Sequence, residues 1–133
     1  ADGRLAFADP GCRPAAVRRL DDPVRDESAV REAVEVSPGV DAILLDSGNP
    51  SLAVKELGGT GRAHDWAISR AIRNAVHTPV YLAGGLNAEN VGSAIARVAP
   101  FGVDVCSGVR TGGALDAAKL GAFMDAVRKS PSP

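Results

Sequence analysis

The sequence predicts an α/β protein built from parallel βα units, and three observations carry that expectation. Short apolar runs alternate with amphipathic segments from residue 26 onward. The runs are too short for helices and nearly continuous, as in strands buried on both faces. Glycine-rich turns recur after them, at Gly58-Gly59-Thr60-Gly61, Gly84-Gly85 and Ser107-Gly108.

The elements follow in order. Asp26-Glu27-Ser28 caps a helix whose apolar positions Val30, Ala33 and Val34 recur at helical spacing, ending before Pro38-Gly39. Val40 to Leu45 is an apolar run broken only by Asp41, and reads as a strand. Asp65 starts a second helix through Ile68, Ile72 and Val76, and Pro79 to Ala83 is the next strand. Asn87-Ala88-Glu89-Asn90 opens a third helix carrying Val91, Ala94, Ile95 and Val98, which stops at Pro100. Phe101 to Val105 reads as a strand, and Leu115 to Val127 as a helix with Leu120, Phe123 and Met124 on one face. The order α-β-α-β-α-β-α implies a parallel sheet with right-handed crossovers.

Residues 1–25 form a different segment, rich in proline and with four arginines between Arg4 and Arg19. It reads as a leader, and Ala15 to Leu20 forms at most one weak strand there because Arg18-Arg19 interrupts it. The organisation is therefore a leader over 1–25, a βα domain over 26–129 and a disordered Ser/Pro tail over 130–133.

At 133 residues one domain with a real core is expected, made from Ala, Val, Leu and Ile because aromatics are 4%. A net charge of −1 offers no electrostatic footprint for nucleic acid or an anionic membrane. No apolar stretch approaches the roughly 20 residues that span a bilayer. Cys12 and Cys106 match no metal spacing, and a reduced, cytoplasmic setting is the default.

The glycine loops point to chemistry. A glycine-rich turn at a helix start offers backbone N–H groups to an oxyanion, most often phosphate. The competing reading is a tight turn with no ligand, since turns use glycine anyway. Asp46 follows a buried strand and acts either as an acid–base group or as a simple loop cap. Asp104 lies inside Val103-Asp104-Val105, where burying a carboxylate is costly unless it is paired or functional. Cys106 reads as a small buried hydrophobe.

Four motifs taken together resemble a known family. They are Leu44-Leu45-Asp46-Ser47; Gly58-Gly59-Thr60-Gly61 with Asp65-Trp66; Leu82-Ala83-Gly84-Gly85-Leu86-Asn87 with Asn90-Val91; and Gly102-Val103-Asp104-Val105 with Ser107-Gly108-Val109. In this order and spacing they resemble the C-terminal half of the phosphoribosylanthranilate isomerases, over roughly residues 26–127. The resemblance implies the second half of a TIM-type (β/α)8 barrel, a fold that places its active sites at the C-terminal ends of the strands. It implies an Amadori rearrangement of N-(5-phosphoribosyl)anthranilate in tryptophan biosynthesis, without metal or cofactor.

The resemblance implies the following roles on the matching positions: Asp46 is the general acid that protonates the ribose ring oxygen. Gly58, Gly59, Thr60 and Gly61 line or close the site. Gly84, Gly85, Ser107 and Gly108 hold the phosphate, and Asp104 hydrogen-bonds the substrate. The family's general-base cysteine, in a Lys-Ile-Cys-Gly segment, has no counterpart here, and Cys12 in Asp9-Pro10-Gly11-Cys12 does not supply one. Arg110 stands where an acidic residue usually follows Ser-Gly-Val.

A half barrel leaves two sheet edges open, so a homo-oligomer or a complementary N-terminal half is the expected partner, and a phosphorylated pentose derivative the expected ligand. The alternative is a non-catalytic phosphate-binding or assembly module derived from the same barrel.

Overall fold

The computed structural model describes residues 15–20, 27–46 and 60–131, with the backbone alone for 60–65. Val17–Leu20 (β1), Ala42–Asp46 (β2), Val80–Ala83 (β3) and Gly102–Val103 (β4) form one sheet in the order β1-β2-β3-β4, parallel throughout. The helices are Glu27–Val36 (α1), Thr60–Ala75 (α2), Val91–Val98 (α3) and Ala117–Lys129 (α4). Each helix packs on the next, α1 on α2, α2 on α3 and α3 on α4.

Side chains alternate across a strand, so the register sorts them into two faces. Ile43, Leu45, Val80 and Leu82 share the helix-covered face and are buried. With Leu20, Ala33, Trp66, Ile72, Val91, Ala94, Val98 and Phe123 they make one contiguous core of mainly aliphatic side chains. The opposite face carries Val17, Arg19, Leu44, Asp46 and Tyr81. It is partly open, with Val17 57% exposed and Leu44 and Tyr81 half-buried.

The doubtful strand over residues 15–20 is real between Val17 and Leu20, and its two arginines explain themselves by pairing on opposite faces. Arg18 meets Glu32 of α1 at 3.4 Å, and Arg19 meets Asp46 of β2 at 2.6 Å. Asp41, the polar break in its apolar run, accepts the Ala16 N–H on Oδ2 at 2.8 Å and so pins the start of β1 to β2. At the same end of the sheet Thr78 donates its hydroxyl to the Ser37 carbonyl at 2.9 Å, tying the entry to β3 to the 3-10 turn after α1.

Several elements differ from expectation. Helix α2 begins at Thr60 rather than at Asp65, so Thr60, Gly61 and His64 are helical. Trp66, paired in the sequence with the glycine loop, is a core residue 7% exposed, with the Arg97 guanidinium 5.8 Å from its ring centroid. Strand β4 is only Gly102–Val103, shorter than Phe101 to Val105. Val34 and Met124 are exposed because each sits one position beyond its helix's buried stripe, which passes through Ala33 and Phe123. Leu115 does not begin a helix. It closes a hairpin of Arg110–Thr111 (β5) and Ala114–Leu115 (β6), turned by Gly112 and Gly113 at φ +58° and +80°. Both central residues need positive φ in this turn, which two glycines supply without a Cβ penalty.

Asp116 joins that hairpin to α4. Its Oδ1 accepts the Ala118 and Lys119 N–H groups as the helix N-cap, and its Oδ2 accepts the Thr111 hydroxyl at 2.7 Å. At the other end of α4, Ser130 donates its hydroxyl to the Ala126 carbonyl and its N–H to Val127, while residues 132–133 lie outside the described residues.

Two stability predictions follow from this packing. Leu82 is fully buried at the centre of the core, so Leu82→Ala should cost about 2–5 kcal/mol in denaturant unfolding. The Thr111 hydroxyl, the Lys119 and Ala118 N–H groups and the Lys119 charge together hold the Asp116 carboxyl below its ordinary value. A depressed folded-state value means this stability is fully present above the ordinary carboxylate range. It is lost as pH falls through the depressed value. Thermal unfolding of Asp116→Asn across about pH 5 to pH 2 should therefore show a shallower acid-side loss than wild type.

Candidate functional site

Parallel strands bring their C-terminal ends to one edge of the sheet, and the candidate residues gather there. Asp46, the last residue of β2, lies opposite Ala83, the last of β3. Continuing the register of Leu82 with Val103 puts Asp104 level with Ala83 on the other side. The carboxylate-bearing strands flank a single small residue, their backbones roughly 9–10 Å apart by the ordinary interstrand spacing.

The two carboxylates differ. Asp46 is largely shielded, its side chain 23% exposed, and Arg19 Nη2 donates to its Oδ2. Asp104 is exposed, so its carboxylate escapes the burial cost its place among valines could have imposed. Pairing ends at Val103, and the Asp104 N–H still donates to the Leu82 carbonyl at 2.9 Å, so the backbone is fixed while the side chain faces open space. Cys106, expected in the core, is likewise an exposed free thiol, because the chain leaves the sheet before reaching it.

The glycine turns after β3 and β4 are built around each other. Gly84 and Gly85 take φ of +95° and +64°, conformations that side-chain-bearing residues rarely adopt. The turn then closes on two asparagines. Asn90 Nδ2 donates to the Gly85 carbonyl at 2.9 Å, and its Oδ1 accepts the Asn87 N–H at 2.8 Å. Asn87 Oδ1 in turn accepts the Glu89 and Asn90 N–H groups. The sequence marks Asn87 and Asn90 only as a helix start. Their second role, fixing the Gly85 peptide, is missed there, although two asparagines three apart after Gly-Gly are the signal for such a side-chain turn.

Ser107 and Gly108 open a 3-10 turn through the buried Val109. Gly108 packs directly on the preceding loop: a Cβ there would lie 1.9 Å from the Leu86 carbonyl oxygen and 3.1 Å from Asn87 Cα. No side chain fits between backbones that close, so the two loops form one unit. Beside them a groove of about 510 Å³ runs between Asn87, Glu89, Ser107, Gly108 and Lys119. The Lys119 Nζ donates to the Arg110 carbonyl at 3.0 Å, placing a cation at the rim.

The structure thus brings together Asp46, Gly84, Gly85, Asp104, Ser107 and Gly108 at one edge of the sheet. Thr60 and Gly61 stand in the first turn of α2, whereas Gly58 and Gly59 lie outside the described residues.

A parallel βα sheet with acidic strand ends and interlocked glycine turns defines a class: α/β proteins that receive ligands at the carboxyl edge of their strands. The comparisons with known proteins narrow it. The sequence model of the N-(5'-phosphoribosyl)anthranilate (PRA) isomerase family matches residues 17–126, and the chain belongs to that family. The N-(5'-phosphoribosyl)anthranilate isomerase of Methanothrix thermoacetophila is 48% identical over 99 residues, covering 72% of this chain and 44% of the relative. That of Haloferax volcanii is 46% identical over 107 residues, covering 80% and 47%.

Among solved structures, the phosphoribosyl anthranilate isomerase from Thermococcus kodakaraensis superposes with a TM-score of 0.65 at 38% identity, covering 86% of this chain and 52% of that one. A phosphoribosyl anthranilate isomerase in complex with reduced 1-(o-carboxyphenylamino)-1-deoxyribulose 5-phosphate superposes at 0.60 with 28% identity, covering 84% and 46%. The chain spans about half the length of the relatives it matches.

If the interlocked loops are rigid because nothing fits between them, Gly108→Ala should force them apart. The expected cost is about 1–3 kcal/mol of stability, read by thermal unfolding, with faster amide hydrogen exchange at Gly85 and Leu86.

Proposed function

We propose that this chain is the C-terminal half of a (β/α)8 barrel that isomerises N-(5'-phosphoribosyl)anthranilate in cytoplasmic tryptophan biosynthesis. The observation that carries this reading is the alignment of Asp46 and Asp104 across Ala83, beside the interlocked Gly84-Gly85 and Ser107-Gly108 turns. Family membership supports it, as does the phosphorylated sugar-derived ligand of one structural relative.

In this reading the backbone N–H groups around Gly84, Gly85, Ser107 and Gly108 hold the 5'-phosphate, and Gly58, Gly59, Thr60 and Gly61 approach the rest of the ligand. Asp46 gives its proton to the furanose ring oxygen, and the C1'–O bond breaks to leave an open-chain iminium. A base then takes the C2' proton, and the resulting enolamine tautomerises to the 1-amino-1-deoxyribulose. Asp104 hydrogen-bonds the pentose hydroxyls. The strands that complete the barrel come from a complementary N-terminal half or from a second copy, and the base, which lies outside the residues of this chain, comes with the N-terminal half. The open face bearing Val17, Leu44 and Tyr81 is the surface those strands would cover.

The test is the Asp46→Asn variant. Assayed with a complementary N-terminal half, removing the acid while preserving shape should lower kcat about 10²–10⁴-fold and leave binding of the reduced deoxyribulose phosphate analogue within a few-fold. The variant should also fail to restore growth of a tryptophan auxotroph that the wild-type chain, co-expressed with a complementary N-terminal half, rescues. Full turnover by Asp46→Asn would assign the acid elsewhere.

A further inference from the structure

The opposite end of the sheet carries a feature that the chemistry above leaves unused. A groove of about 560 Å³ opens where the chain passes from α2 to β3 and from α3 to β4, with Arg73, Asn74, His77, Pro79, Pro100 and Phe101 among its lining. Val80 and Gly102 begin their strands here, whereas Asp46, Ala83 and Asp104 gather at the far edge. Both walls come from consecutive βα units of this chain, so they need no residue of a complementary half. Backbone hydrogen bonds hold them in place: the Phe101 N–H donates to the Val80 carbonyl at 2.8 Å, and the Ile43 N–H to the Pro79 carbonyl at 2.9 Å.

The charge in the groove is of one sign. Among the described residues no acidic side chain lines it. The half-buried Arg73 guanidinium runs along one wall, its Nε donating to the Ala99 carbonyl at 3.0 Å and its Nη1 to Asn74 Oδ1 at 3.4 Å. The first bond offsets the negative carbonyl end of α3, where Ala99 turns left-handed at φ 50°. Arg73 Nη2 makes no hydrogen bond among the described residues, and the Asn74 amide and the His77 imidazole each add an N–H donor. At the entry to β4, Phe101 is 68% exposed, its ring held by Tyr81 in an edge contact with centroids 5.4 Å apart.

We propose that this groove is a binding site for a small aryl carboxylate. Arg73 takes the carboxylate with help from Asn74 and His77, and the ring lies against Phe101 and the two prolines. A guanidinium presents a planar fork that matches a carboxylate, and an aromatic face beside it accepts a ring. The volume suits a ligand of one ring. A bare phosphate, the ion read at the other edge, would leave Phe101, Pro79 and Pro100 uncovered.

The test titrates the whole 133-residue chain, ¹⁵N-labelled, with sodium benzoate and follows its amide resonances. Benzoate should shift Val76, His77, Ala99 and Phe101 saturably, at roughly millimolar concentration for so small a ligand, and leave Gly85 and Gly108 in place. Arg73→Met should weaken binding about 10-fold or more by removing the charged fork. Phe101→Ser, at an exposed position, should weaken it about 3- to 10-fold. Benzamide, which keeps the ring and loses the charge, should bind wild type at least about 10-fold more weakly than benzoate.

Absence of a saturable shift up to about 20 mM benzoate overturns the proposal. So do shifts confined to Gly85 and Gly108, or affinity unchanged in Phe101→Ser. If Arg73→Met loses its folded spectrum, benzamide decides the charge: affinity equal to that of benzoate overturns the carboxylate assignment, and a weaker one upholds it. No turnover is read, so failure here leaves the isomerase reading standing.

Discussion

The parallel register of β2 with β3 fixes everything else at the candidate site. Ile43 with Val80 and Leu45 with Leu82 lock it by burying both pairs under the helices. Shifting one strand by a residue would turn Ile43 and Leu45 outward and drive Asp46 into the aliphatic core. The position of Asp46 beside Ala83 is therefore set by hydrophobic burial on the far side of the sheet. The polar chemistry at the strand ends inherits its geometry from residues that never touch it.

The loops show the same dependence at shorter range. Gly85 holds a left-handed backbone because Asn90 and Asn87 satisfy the groups around it, and Gly108 then rests against the Leu86 carbonyl. Each contact presupposes the one before. The result is a pair of turns with little freedom to move, and the proposed phosphate site would draw on that rigidity.

Legibility in the sequence followed the range of the forces involved. Strand β3 and helix α3 are readable because their periodicity and flanking Pro79 and Pro100 act locally. The weak strand around Arg18 and Arg19 is not, since the partners that make it tolerable, Glu32 and Asp46, lie 14 and 27 residues away. Helix α2 starts earlier than its glycines suggest, for glycine in a helix costs only about 1 kcal/mol. Cys106 follows the run Val103-Asp104-Val105 and so reads as buried, but the paired strand ends at Val103 and the chain leaves the sheet before reaching it. The Gly112-Gly113 hairpin carries a recognisable turn signal, yet its strands of two residues are too short for alternation to appear. Asp46 and the glycines of the β3 and β4 turns stand out because the motifs around them are contiguous.

The monotonic strand order has a further consequence, for how such a chain grows and folds. Among the described residues each strand of the main sheet pairs with its nearest sequence neighbour. Every ladder contact spans roughly 20–40 residues, a modest loop-closure cost that can be met one unit at a time. A sheet assembled this way is a linear lattice with two growing ends. Appending another βα unit at β1 or β4 asks nothing of the units already in place, so duplication, fusion and fission of the gene are steps that the architecture tolerates.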